Sequence, residues 1–141
     1  KKIEKDYNTS AFTGILHHNK IKNKTAFQIF TKYGPLAFLP LSQTMTSVVY
    51  SIEKKYIFKI NDVKNLILEF NKFYRIKKLD DLEKFDLKFS FSRNIFYKNM
   101  LCFGDSMHKI HPLAGQGLNM TLRDIIIFNK LIEDKISLAP S

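Results

Sequence analysis

Apolar and polar positions alternate with a period of two through most of this chain and shift to a helical period at only two places. From Tyr7 to about His17, Tyr7, Thr9, Ala11, Thr13 and Ile15 fall on one face of an extended segment. Asn19 to Lys24 is a polar, lysine-rich turn, and Thr25 to Phe30 alternates again, with Phe27 and Ile29 set against Gln28. Leu36 to Leu41 is bracketed by Pro35 and Pro40, which predicts a strand that is short or lies at a sheet edge. Thr46 to Ile52, rich in β-branched and aromatic residues, completes an antiparallel meander.

The first helical period follows. Asn61 is the expected N-cap, Asp62 suits the first turn, and Val63, Leu66, Ile67, Phe70 and Tyr74 form one apolar stripe that predicts core packing. Lys77 to Lys84 reads as a charged connector. Phe85, Leu87, Phe89 and Phe91 then alternate strictly with Asp86, Lys88, Ser90 and Ser92, a strand whose aromatic face is expected to pack between sheet and helix. Met100 to Phe103 is an apolar run short enough for a buried strand, and the second helix opens at about Leu118.

Between that last strand and that last helix lies the stretch with chemical content. Gly104 and Asp105 end the strand with a carboxylate, at the edge where open α/β sheets bind ligands. The loop that follows holds Pro112, Gly115 and Gly117. Glycines at a loop-to-helix junction let a ligand approach the backbone, and the unpaired amides of a first helical turn attract negative charge. An anion or a polar cofactor between an aspartate and a helix N-terminus is the chemistry implied.

Composition narrows the alternatives. The formal net charge of +10 raises nucleic-acid binding, but arginine occurs only at Arg75, Arg93 and Arg123 and the lysines are spread along the chain. No nucleic-acid partner is expected; solvated lysines, or a basic face on anionic lipid, fit better. Cys102 is the single cysteine, so no intrachain disulfide can form. Asp105, His108 and His111 are too few ligands for a metal centre, and no metal is expected. Ser106 lacks the G-x-S-x-G elbow of a hydrolase nucleophile. No apolar run is long enough to span a bilayer.

The pattern G-D-x-x-H-x-x-x-P-x-x-G-x-G-x-N-x-x-x-x-D, filled here by Gly104, Asp105, His108, Pro112, Gly115, Gly117, Asn119 and Asp124, resembles the second flavin-binding motif of the FAD-dependent aromatic-ring hydroxylases. The variant His111 to Asn119, and the stretch Gly34-Pro35-Leu36-Ala37-Phe38-Leu39-Pro40-Leu41, resemble the branch that hydroxylates ubiquinone precursors. The fingerprint G-x-G-x-x-G, which family members carry near their amino terminus, is absent. The expectation is therefore the carboxyl-terminal half of a larger enzyme. Its fold class would be α/β: residues 1–99 as an antiparallel substrate-side sheet with one helix, and 100–141 as the last strand, loop and helix of a Rossmann-like FAD-binding domain.

The resemblance implies a role for each motif residue. Asp105, beside Gly104, would accept a hydrogen bond from a ribityl hydroxyl. Pro112 would sit between the flavin ring and the substrate pocket, and Gly115, Gln116 and Gly117 would pass close to the ring. The amides of Leu118 and Asn119 would face the flavin pyrimidine oxygen, and Arg123 and Asp124 would orient the helix. The substrate would be a lipid-tailed phenol touching Pro112, Leu39 and Leu41, with Phe38, Phe89 and Phe91 as further lining. NAD(P)H or another donor would supply electrons and O2 the oxygen; no catalytic acid or base is assigned. A cytoplasmic location is expected, peripheral at the inner face of the membrane or within a biosynthetic complex. A catabolic phenol hydroxylase, a flavin reductase or halogenase, and a non-catalytic remnant remain the alternatives.

Overall fold

The computed structural model describes residues 2–56, 58–110 and 116–137. It is a mixed α/β structure with mostly antiparallel strands and two α-helices, and its chain contacts divide it into two compact units. One is Asn8–Leu87; the other joins Lys1–Tyr7 to Lys88–Ser141. The first strand, β1 (Lys2–His18), and the sixth, β6 (Glu83–Ser92), each run through both.

In the Asn8–Leu87 unit, β2 (Phe27–Thr31), β3 (Gly34–Pro40), β4 (Met45–Glu53) and β1 lie side by side in that order, each antiparallel to its neighbour. Two further strands flank β1 on its other side: β5 (Ile76–Leu79) near His18, and β6. Residues 77–84, expected to be a charged connector, are thus largely strand, 77–79 in β5 and 83–84 in β6. Alternation decides which face is covered. Phe12, Leu16, Leu36, Phe38, Val48, Tyr50 and Ile52 point to the helix α1 (Ile60–Phe70), whose Val63 and Ile67 are fully buried against them. The other face carries Ala11, Thr13, Ile15, Ala37, Leu39 and Val49, and among the described residues no helix of this unit lies on it.

Three expectations are corrected here. β3 is an interior strand: its prolines stand at the second and last positions, where a missing N–H costs the ladder least. The helix is capped at Lys59 rather than Asn61, because the Asp62 carboxylate reaches back to accept the Lys59 N–H at 2.9 Å. Phe38 is fully buried in the core, whereas Phe85 (49% exposed), Phe89 and Phe91 stay outside it. The cause is register. Asp86 turns to the core side of β6, where it accepts the Ser10 hydroxyl at 2.7 Å and pairs with Lys54, so Phe85 and Leu87 turn away. The Ser10 hydroxyl first, and Lys54 second, hold the Asp86 carboxyl below the usual range.

One end of this unit is tied by a buried polar network. His18, 1% exposed, donates from Nδ1 to the Asn19 carbonyl (2.8 Å) and accepts the Thr46 hydroxyl at Nε2 (3.0 Å). The Asn23 amide donates to the Ser42 carbonyl and to Thr46 Oγ1, and its oxygen accepts the Tyr74 hydroxyl. Strand ends and loops far apart in sequence are thereby fixed to one another.

Gly34 shows how closely β3 meets β4. It has φ of 140°, and a β-carbon there would run into the Ser51 carbonyl. Gly34→Ala is expected to destabilise this unit by about 1–3 kcal/mol. Urea unfolding followed by circular dichroism measures it, and a loss under about 0.5 kcal/mol would contradict the close approach.

Candidate functional site

In the second unit, β7 (Phe96–Tyr97) and β8 (Met100–Leu101) form a short antiparallel ribbon, with Phe96 opposite Leu101. Met100 and Leu101 were expected in a buried strand; they are 64% and 40% exposed because the ribbon is their only pairing among the described residues. A 3₁₀ turn (Gly104–Ser106) follows, then β9 (His108–Lys109), which pairs antiparallel with β6 at Ser90 and Phe91. The helix α2 covers Gln116–Ser137.

The turn is built by its own side chains. The Ser106 hydroxyl donates to the Phe103 carbonyl at 2.6 Å and accepts the Phe103 N–H at 3.0 Å, which engages it structurally. Gly104 is buried at φ 57°, and a β-carbon there would stand 3.3 Å from Thr121 Oγ1, so a glycine is needed where the turn meets the helix. Thr121 in turn donates to the Gly117 carbonyl one helical turn back (3.0 Å).

A second tie lies one turn further along. His108, 1% exposed, meets the Asp124 carboxylate through Nε2 at 2.9 Å. Phe103 then packs edge to face on Phe128, ring centres 6.0 Å apart. Gly117, Thr121, Asp124 and Phe128 recur at intervals of four, three and four, so one stripe of α2 is held against the Gly-Asp turn over three helical turns. Arg123 and Asp124 were both expected to orient the helix; Asp124 makes this contact, whereas Arg123 is exposed. Thr121 and Phe128 were missed, although their helical spacing from Gly117 was the available signal.

This arrangement leaves the Asp105 side chain exposed, with no hydrogen-bond partner among the described residues. Its Oδ1 lies 3.8 Å from where a β-carbon on Gly117 would be. Gln116, Gly117, Leu118 and Asn119 stand in the first turn of α2, and their amides have no helical partner among the described residues. The structure therefore brings together Gly104, Asp105, Gln116, Gly117, Leu118 and Asn119. His111, Pro112 and Gly115 lie outside the described residues. Leu39 (41% exposed) and Leu41 (56% exposed) belong to the Asn8–Leu87 unit, Leu39 on its helix-free face and Leu41 just past β3. An open carboxylate beside the first turn of a helix suits a ligand that offers hydroxyl donors and an electron-rich acceptor, and a flavin carries both on its ribityl chain and ring.

Residues 81–140 match the squalene epoxidase family, a family of FAD-dependent monooxygenases. Over most of its length the chain is similar to mitochondrial ubiquinone biosynthesis monooxygenases COQ6. The Mus musculus protein is 29% identical over 84% of this chain and 34% of its own; the Homo sapiens protein is 26% identical over 85% and 34%. The ubiquinone hydroxylase UbiM of Neisseria meningitidis is 27% identical over 90% of this chain and 29% of its own. The chain thus spans about a third of the length of the curated relatives it matches.

Asp124→Ala removes the partner of a buried imidazole and is expected to cost about 1–3 kcal/mol locally. Hydrogen exchange of the amides around Thr121 should accelerate about tenfold or more. Unchanged protection in α2 would show that the His108 tie does not hold the helix.

Proposed function

We propose that this relative of the ubiquinone hydroxylases forms part of a flavin-dependent monooxygenase that hydroxylates the ring of a prenylated phenol. The observation that carries the reading is the open Asp105 carboxylate beside the first turn of α2. When bound, FAD supplies the redox and oxygen chemistry, with NAD(P)H or another donor as reductant and O2 as co-substrate. Asp105 accepts a hydrogen bond from a ribityl hydroxyl, strengthened by its charge. The amides of Gln116 to Asn119 donate to the electron-rich edge of the ring, and the positive end of the helix favours negative charge there. Gly117 leaves the approach to Asp105 uncovered. Pro112 and Gly115 join this set on the family resemblance. The side chains bind and orient; no proton transfer is assigned to any of them.

On this reading residues 1–99 carry the substrate-side sheet and 100–141 the last strand, loop and helix of a Rossmann-like flavin domain. The apolar side chains that α2 exposes, among them Leu118, Leu122 and Ile126, suit a helix that packs within a larger domain. The helix-free sheet face, with its short side chains and Leu39, offers a flat apolar wall to a ring. Leu41, just beyond β3, extends it toward a tail. The squalene epoxidase match favours a second reading, oxygenation of a lipid chain. The ring is preferred because the ubiquinone enzymes match across the sheet unit as well.

Asp105→Ala in the enzyme that contains this chain should weaken FAD by about 1.5–3 kcal/mol, the usual worth of a hydrogen bond to a charged group. That is roughly ten- to a hundredfold in affinity, read by flavin fluorescence titration. A change under about twofold would remove Asp105 from the flavin site.

A further inference from the structure

Three segments that meet at one end of the Asn8–Leu87 unit share an unusual composition. Residues 19–26, 41–45 and 71–77 contain Lys20, Lys22, Lys24, Lys72, Arg75 and Lys77 and no aspartate or glutamate. Strand direction brings them together, since β1 and β3 end where β2, β4 and β5 begin. Backbone bonds then join them: the N–H of Asn19 donates to the Arg75 carbonyl and that of Ile21 to the Gln43 carbonyl, each at 3.0 Å. The buried His18–Thr46–Asn23–Tyr74 network holds the loops from beneath.

The six cations are exposed, and none forms an ion pair among the described residues. Elsewhere in the same unit Lys54, Lys55, Lys64 and Lys78 each have a carboxylate partner, and Lys32, Lys59 and Lys84 have none among the described residues. Six of the nine cations without an ion pair in this unit therefore stand in the three loops. Among it stand three exposed apolar side chains, Ile21 (39%), Leu41 (56%) and Phe73 (42%), the last held by stacking on Phe27 at 4.3 Å. An open hollow of ≈ 460 Å³ lies among Lys20, Ile21, Lys22, Lys24, Ser42 and Gln43.

We propose that this loop cluster is a docking face for an anionic lipid bilayer. Charge complementarity selects the partner: lysines free of carboxylates meet acidic headgroups, and the attraction acts within about 8 Å at physiological salt. The apolar tips enter the boundary between headgroup and chain, as on amphipathic surfaces that lie in the interface. A nucleic acid is the poorer fit. The cluster has one arginine for phosphate forks, and two of its three apolar tips are aliphatic and cannot stack on bases. The face acts independently of the flavin reading, so its failure would leave the Asp105 assignment untouched.

Flotation of the full chain with vesicles tests this, using phosphatidylcholine alone or mixed with phosphatidylglycerol. The variant Lys20→Glu/Lys22→Glu/Lys24→Glu is compared with Lys5→Glu/Lys88→Glu/Lys130→Glu, which changes net charge equally outside the cluster. Each cation near an anionic surface is worth roughly fivefold in binding. The cluster variant should therefore bind the mixed vesicles about a hundredfold more weakly and the control less than about tenfold. Ile21→Asn should weaken binding severalfold even in high salt. The corresponding Lys→Gln triple, which adds no acidic group, should give the same ranking. Equal losses from both charge variants would overturn the proposal. So would equal binding to pure phosphatidylcholine, or displacement from mixed vesicles by a duplex oligonucleotide at equal charge concentration.

Discussion

The contact between Asp124 and the buried imidazole of His108 governs the geometry of the candidate site. Alone it is one hydrogen bond, but it lies in a stripe with Gly117, Thr121 and Phe128, and the stripe fixes α2 against the Gly104–Ser106 turn. A helix held along one line cannot roll. Its first turn therefore stays beside Asp105, and that carboxylate stays open because neighbouring contacts are made by Ser106, Gly104 and His108 instead. On the proposed reading, these neighbouring side chains hold an exposed aspartate in place for binding.

A different constraint shapes the Asn8–Leu87 unit. Its sheet is covered on one face by α1 and keeps small or apolar side chains on the other. The polar network around His18 ties the loops at one end and leaves their lysines outside. The helix-free sheet face and the basic loop cluster thus occupy surfaces separate from the core, so exposed side chains on either can be replaced without disturbing core packing.

Much of this was legible in the sequence, where local chemistry decides structure. Alternation pointed to β1, β2 and β6, β-branched and aromatic composition to β4, and the 3.6 period to α1. The family pattern pointed to the Gly-Asp turn. What could not be read depends on long-range register. The aromatic face of β6 looked like core because nothing local reveals that Asp86 meets Ser10, 76 residues away, and turns the aromatics outward. Pro35 and Pro40 suggested an edge, but strand order is set by which neighbours pair. Met100 to Phe103 has the composition of a buried strand, and burial depends on what covers it.

The proposed chemistry is tested most directly in the quinone pool of the source cell. With the gene encoding this chain deleted, mass spectrometry should find a prenylated aromatic precursor lacking one ring hydroxyl, and restoring the gene should clear it. Normal ubiquinone after deletion, together with lost growth on a simple soluble phenol, would contradict the account and assign the enzyme to breakdown of small aromatics.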